Sequence, residues 1–238
     1  MKLPLWYSRR ISKALTPQAF EHLCRGAQIL EQDARGLKVL RLPNGDILKI
    51  FRVKHLISSA RIYSYARQFC RNAERLQVLG IPTVGIQELF HFTDSTNSAV
   101  LYRPLAGDTV RQLAYGRQLD DASLKRLGAF IGSLHDQGVY FRSLHMGNIV
   151  RAEDGEFGLI DIADMSIYPW SLRCGRRLRN LYHVCRLQED IRQLSVQQWQ
   201  ALWQGYFGRA GLSARCHNRM AAQLAKLSVL LDPQIQQA

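Results

Sequence analysis

The apolar residues of this chain keep two different rhythms, and the change falls near residue 104. Residues 10–32 carry Ile11, Leu15, Phe20, Leu23 and Ile29 as apolar marks that predict a helix. The stretch "KVLRLPNGDILKIF" (38–51) predicts two strands about an Asn44-Gly45 turn, because Asn-Gly accepts the backbone angles a tight hairpin needs. Residues 55–79 return to a helical pattern, which Gly80 and Pro82 terminate. "TVGIQELFHF" and "SAVLYRPL" predict two further strands across the turn-rich "TDSTNS".

After Pro104 and Gly107 the helical period dominates. Residues 121–137 place Leu124, Leu127, Ile131 and Leu134 on one face, with Gly138 as the stop. "NIV" and "FGLIDI" predict short strands bridged by "RAEDGE", where Asp154-Gly155 supplies the turn. From about residue 177 onward everything predicts helix. The expectation is an α+β chain of two lobes: a sheet-rich N-terminal lobe over residues 1–103 and a helical C-terminal lobe over 104–238.

Composition changes the picture in three respects. The 238 residues are 47% hydrophobic, enough for a buried core and against a disordered chain. A net charge of +13 favours an anionic partner: a nucleotide, a nucleic acid or a phosphate-bearing membrane surface. The five cysteines, Cys24, Cys70, Cys174, Cys185 and Cys216, are odd in number and form no CxxC pair, so reduced thiols in a cytosolic protein are expected. No secretory leader is expected from "MKLPLWYSRR", whose apolar run before the arginines is too short, and nothing approaches the roughly 18 apolar residues of a membrane span. The expected location is cytoplasmic, with peripheral attachment to the cytoplasmic face of the inner membrane left open.

The chemistry concentrates in "YFRSLHMGNIVRAEDGEFGLIDIAD" (140–164). Phosphoryl transfer asks a protein to position nucleotide phosphates and neutralise their charge, with a lysine and with magnesium held on oxygen ligands. Lys49 lies in "ILKIF" after the hairpin turn, Asn148 closes the loop that follows a long helix, and Asp161 is expected to end the apolar strand "GLIDI". A carboxylate between Ile160 and Ile162 is costly without a cation or donors beside it.

In that order the chain resembles the protein-kinase-like superfamily. More narrowly it is similar to bacterial lipopolysaccharide-core kinases, which phosphorylate heptose or Kdo sugars. The resemblance runs through "NAERLQVLGIPTV", "LYRPLAGDTV", the "RSLHMGNIV…LIDIAD" block and "YHVCRLQEDIRQL", over about residues 36–205. It implies a two-lobed kinase fold and ATP and Mg²⁺ as nucleotide and metal. Lys49 would sit on the α- and β-phosphates, and Asn148 and Asp161 on the metal.

Several positions depart from the family pattern. In the "HRDxxxxN" frame Phe141 replaces the His, Arg142 keeps the Arg, and Ser143 stands where the catalytic Asp is expected. A hydroxyl is a poor proton acceptor, and general-base assistance is worth about 10²–10⁴-fold. His145, which titrates near neutrality, is the substitute base or the cation for the γ-phosphate; Asp164 is a further nearby carboxylate. Only Gly36 is available to the phosphate-covering loop. The helical partner of Lys49 falls on Asn72 by spacing, with Glu74 as the alternative.

Arg173, Arg176, Arg177 and Arg179 in "SLRCGRRLRN" lie where kinases hold their acceptor, and arginine forks suit phosphates. The expected activity is ATP-dependent phosphorylation of a lipopolysaccharide core sugar or a related anionic saccharide. The alternative is a catalytically weak kinase fold serving as a nucleotide-binding regulator or scaffold. Charge alone also suits nucleic acid, but no helix-turn-helix, zinc or RNA-binding motif supports that reading.

Overall fold

A computed structural model describes residues 11–52 and 65–230, with side chains to residue 224. The chain is mixed α+β, sheet-rich in its N-terminal part and helical in its C-terminal part. It divides into two compact units: residues 1–105 with 159–164, and residues 106–158 with 165–238.

The first unit is a six-stranded sheet in the order β1-β5-β6-β4-β3-β2. Its strands are β1 (Lys13–Leu15), β2 (Gln28–Asp33), β3 (Gly36–Arg41), β4 (Ile47–Phe51), β5 (Gly85–Phe92) and β6 (Ser98–Arg103). The single helix expected over 10–32 is corrected. Residues 13–15 pair in parallel with β5, α1 occupies only Pro17–Leu23, and residues 28–33 pair with β3. Pro17 is the reason: it lacks an N–H and its ring blocks a helix running back through Ser12 and Lys13, so the helix can only start there. Thr16 caps it, its hydroxyl accepting from Ala19 N at 3.2 Å. The Asn44-Gly45 hairpin forms as expected, with Gly45 at φ +86° and Asn44 Oδ1 accepting from Asp46 N at 3.1 Å.

Alternation along β4 separates two faces. Leu48 and Ile50 join Leu40, Leu42 and Ala99 in a core that Phe20 and Leu23 of α1 cover. Lys49 and Phe51 face the other way, towards α2 (Tyr65–Val78), whose Phe69 lies 5.7 Å from the Phe51 ring and 5.3 Å from Tyr102. The expected helix over 55–79 begins outside the described residues; its described part ends at Gly80, at φ +69°.

The second unit is built on α4 (Asp121–Asp136) and α7 (Val196–Arg209). Leu124, Leu127, Ile131 and Leu134 are all buried, on the face their spacing predicts. The two helices cross backbone to backbone. A Cβ on Gly128 would lie 1.9 Å from Leu202 O, and one on Gly205 1.8 Å from Lys125 O. Around this crossing lie β7 (Asp108–Thr109), α3 (Val110–Tyr115), β8 (Val139–Phe141), β9 (Ile149–Arg151), β10 (Phe157–Leu159), β11 (Met165–Ile167), α5 (Cys174–Val184), α6 (Gln188–Ile191) and α8 (Ala214–Leu230). No helix among the described residues is long and apolar enough to cross a membrane. The expectation of five free thiols is corrected: Cys174 and Cys216 form a disulfide between α5 and α8, their Cα atoms 5.7 Å apart. Neither spacing nor motif signals a pair 42 residues apart; the packing of two helices creates it.

A polar cluster sits inside this unit. His135, fully buried, accepts at Nδ1 from the Tyr206 hydroxyl at 2.8 Å and donates from Nε2 to Asn180 Oδ1 at 3.2 Å. Asn180 in turn bonds both backbone groups of Phe141. Burial first, and then the neighbouring Arg177 cation, lower the imidazole pKa to about 3.

Two outcomes are expected. Gly128→Ala and Gly205→Ala lower stability by about 1–3 kcal/mol through overpacking. Gly208→Ala in the same helix, with open space around it, gains up to about 1 kcal/mol. Urea unfolding of the three variants checks this. The lowered His135 pKa makes the unfolded state bind the extra proton, so the histidine's contribution is intact above pH 6.5 and is lost as pH falls towards 3. The slope it adds is up to about 1.4 kcal/mol per pH unit. Unfolding curves between pH 7 and 4.5 should be flatter in His135→Gln than in the wild type.

Candidate functional site

In the first unit Lys49 forms an ion pair with Asp161. The lysine side chain is 13% exposed, and its ammonium lies 5.7 Å and 5.9 Å from the Phe51 and Phe69 ring centres. The aspartate is 50% exposed on the other side of the pair. Tyr102 shares the Lys49 face; burial, and then the Asp161 carboxylate, push its phenol pKa up.

Asp161 does not end a strand, as the sequence had suggested. β10 stops at Leu159, and Asp161 sits in the left-handed region at φ +52°. An aspartate tolerates this better than most side chains. The flanking chain is held on both sides. Leu159 N donates to Pro82 O at 2.9 Å and Thr83 Oγ1 to Leu159 O at 2.7 Å. Beyond Asp161, Asn72 Nδ2 donates to Ile162 O at 2.7 Å. Asn72 is buried in α2 and holds the turn that carries Asp161, the ion-pair partner of Lys49.

In the second unit Ser143, His145 and Asn148 come together in the turn after β8. Asn148 Nδ2 donates to Ser143 O at 2.9 Å and lies 3.2 Å from His145 Nε2. His145 Nδ1 accepts from Gly147 N at 3.2 Å. A neutral imidazole has one lone pair, and this contact holds it inside the loop. The Ser143 hydroxyl is half-buried and neutral. Residues 138–152 contain no Asp or Glu. Against the same turn lies a pair that sequence reasoning missed. Arg111 of α3 grips Asp190 of α6 with two bonds, at 2.6 and 2.9 Å, and Asp190 is fully buried. A Cβ on Gly147 would stand 3.2 Å from the Arg111 guanidinium carbon, so glycine allows the turn to lie on it. The two partners are 79 residues apart, and no local motif links them.

The four arginines do not behave alike. Arg173, Arg176 and Arg179 are exposed. Arg177 is buried, donating to Asp136 Oδ1 and to Leu172 O, each at 2.7 Å, and it is structural.

In the first unit Asp161 offers a half-exposed carboxylate, an oxygen donor of the kind magnesium takes. In the second unit the Asn148 amide, with its nitrogen committed to Ser143 O, keeps its oxygen without a hydrogen-bond partner among the described residues. Those residues include no cluster of three His, Cys, Asp or Glu side chains. No protein-family model matches this chain, and no curated protein matches it either.

Charge and backbone at Asp161 can be separated by substitution. Asp161→Asn keeps a residue suited to positive φ and changes stability by less than about 1 kcal/mol, since a half-exposed ion pair is weak. Asp161→Val forces a β-branched residue into the left-handed region and costs about 1–2 kcal/mol more. Equal denaturation midpoints for the two variants would contradict the assigned turn.

Proposed function

We propose that this chain is an ATP-dependent phosphotransferase with a protein-kinase-like fold, similar to the lipopolysaccharide-core kinases. Its acceptor is a core sugar or a related anionic saccharide. The observation that carries the reading is the Lys49–Asp161 pair: a strand lysine in a largely buried setting, beside a carboxylate aimed by a left-handed turn. Lys49 would neutralise the α- and β-phosphates of the nucleotide. Asp161 would hold magnesium, which when bound screens the charge of the β- and γ-phosphates.

The loop supplies positioning without an open base. Ser143 is neutral, and the His145 Nδ1 lone pair is held by Gly147 N–H, so His145 acts by bracing the turn through that bond. The proton of an acceptor hydroxyl then passes to a phosphoryl oxygen or to water as the new O–P bond forms and ADP leaves. Positioning and charge neutralisation still provide most of the acceleration. A second reading, a nucleotide-binding regulator with little transfer, is favoured by the absence of any carboxylate in residues 138–152.

ATP with magnesium should raise the melting temperature of the wild type and leave Asp161→Ala unmoved. An equal shift in both would remove the metal assignment. Single-turnover transfer to a core oligosaccharide should be slow in the wild type and about 10²-fold faster in Ser143→Asp. Nucleotide binding without transfer in either protein would favour the regulator.

A further inference from the structure

The geometry points to a docking surface for an anionic lipid bilayer on the second unit, formed by Trp170, Tyr168 and the exposed arginines of α5. This rests on the surface alone and not on the phosphotransferase reading. Trp170 is 60% exposed, the second most exposed of the large hydrophobic side chains among the described residues. It stacks on Tyr168 at 6.0 Å, and the Arg176 guanidinium lies over the Tyr168 ring at 4.4 Å.

The exposure is not that of a loose loop. Tyr168 N donates to Gly138 O at 2.9 Å and Leu172 N to His135 O at 2.8 Å, while Arg177 grips Leu172 O from behind. The chain between them lies so close that a Cβ on Gly138 would stand 2.3 Å from Tyr168 O and 2.5 Å from Trp170 O. A bulky indole is thus held outward on a backbone fixed to the end of α4.

Charge surrounds it. Arg173 stands at the N-cap position of α5, Arg176 and Arg179 follow on its exposed side, and Arg186 is exposed just beyond its end. The disulfide places α8 against α5, and Arg215 and Arg219 are exposed on α8. Residues 165–230 hold ten Lys and Arg against two acids, Glu189 and Asp190, and Asp190 is already committed to Arg111. An apolar ring with a polar N–H, ringed by guanidinium groups, matches the boundary between acyl chains and anionic headgroups. A soluble polyanion would use the arginines but leave the indole in water.

The test is sedimentation of the full chain with phosphatidylcholine vesicles, with and without about one-third phosphatidylglycerol, the lipid fraction being set by the usual anionic content of such surfaces. Binding should require the anionic lipid and weaken with salt. Arg173→Gln/Arg176→Gln/Arg179→Gln should lower partitioning about a hundredfold, a factor of about five per basic residue. Trp170→Ser should weaken binding without changing the denaturation midpoint. In a Trp6→Phe background, brominated acyl chains should quench Trp170, since Trp199 and Trp203 are buried. Three results would each overturn the proposal: no sedimentation with anionic vesicles, binding unchanged in both variants, or binding abolished by equal charge of single-stranded DNA or soluble core oligosaccharide with no quenching of Trp170.

Discussion

Asp161 can hold its carboxylate beside Lys49 only because the chain around it is tied down from a distance. The hydrogen bonds from Leu159 to Pro82, from Thr83 to Leu159 and from Asn72 to Ile162 join residues 76–90 positions apart. They bring residues 159–164 into the first unit, away from their neighbours in sequence. A left-handed aspartate flanked by Ile160 and Ile162 would be unfavourable in a free loop; here three bonds fix the backbone on both sides and leave the carboxylate one orientation. The ion pair itself is half-exposed and contributes little to stability. Its value is positional, and the buried Asn72 amide of α2 helps to provide that position.

The second unit solves a different problem with the same economy of contacts. Gly128 and Gly205 let α4 and α7 approach until their backbones touch, which brings Leu124, Leu127 and Ile131 into a core shared with Trp199, Leu202 and Tyr206. Close approach at one end leaves polar groups to be matched at the other. His135, Tyr206 and Asn180 match them in one chain of hydrogen bonds, and Asn180 carries that chain to Phe141, immediately before the turn that holds Ser143 and Asn148. Arg111 and Asp190 brace the same turn from the opposite direction in sequence. The loop is therefore set by two polar assemblies together with the bonds inside its own short 3₁₀ turn.

What the sequence made legible was local. The Asn44-Gly45 turn and the Leu124-Leu127-Ile131-Leu134 stripe are written in nearest neighbours and in a period, and both appear as expected. The helix over 10–32 failed because its apolar marks belong to two strands and a short helix, and Pro17 is the punctuation that says so. The Lys49 partner, the burial of Arg177, the Arg111–Asp190 grip and the Cys174–Cys216 bond each depend on residues 41–112 positions apart. Arg177 is the instructive case. Four arginines within seven residues look equivalent in composition, but helical geometry turns one inward, where Asp136 and Leu172 meet it.

Ser143 brings no negative charge to the turn after β8. The surrounding stretch, residues 138–152, has no acid and carries Arg142 and Arg151. A hydroxyl at Ser143 leaves the half-buried turn without a charge that would need a partner there. The same chain keeps Asp161 where a cation is already provided by Lys49 and commits Asp190 to Arg111. Asp136, Asp161 and Asp190 thus each sit against a built-in cation, Arg177, Lys49 and Arg111 respectively. The turn after β8, which has no carboxylate, is fixed instead by backbone and amide hydrogen bonds, so each turn is held by partners suited to the groups it carries.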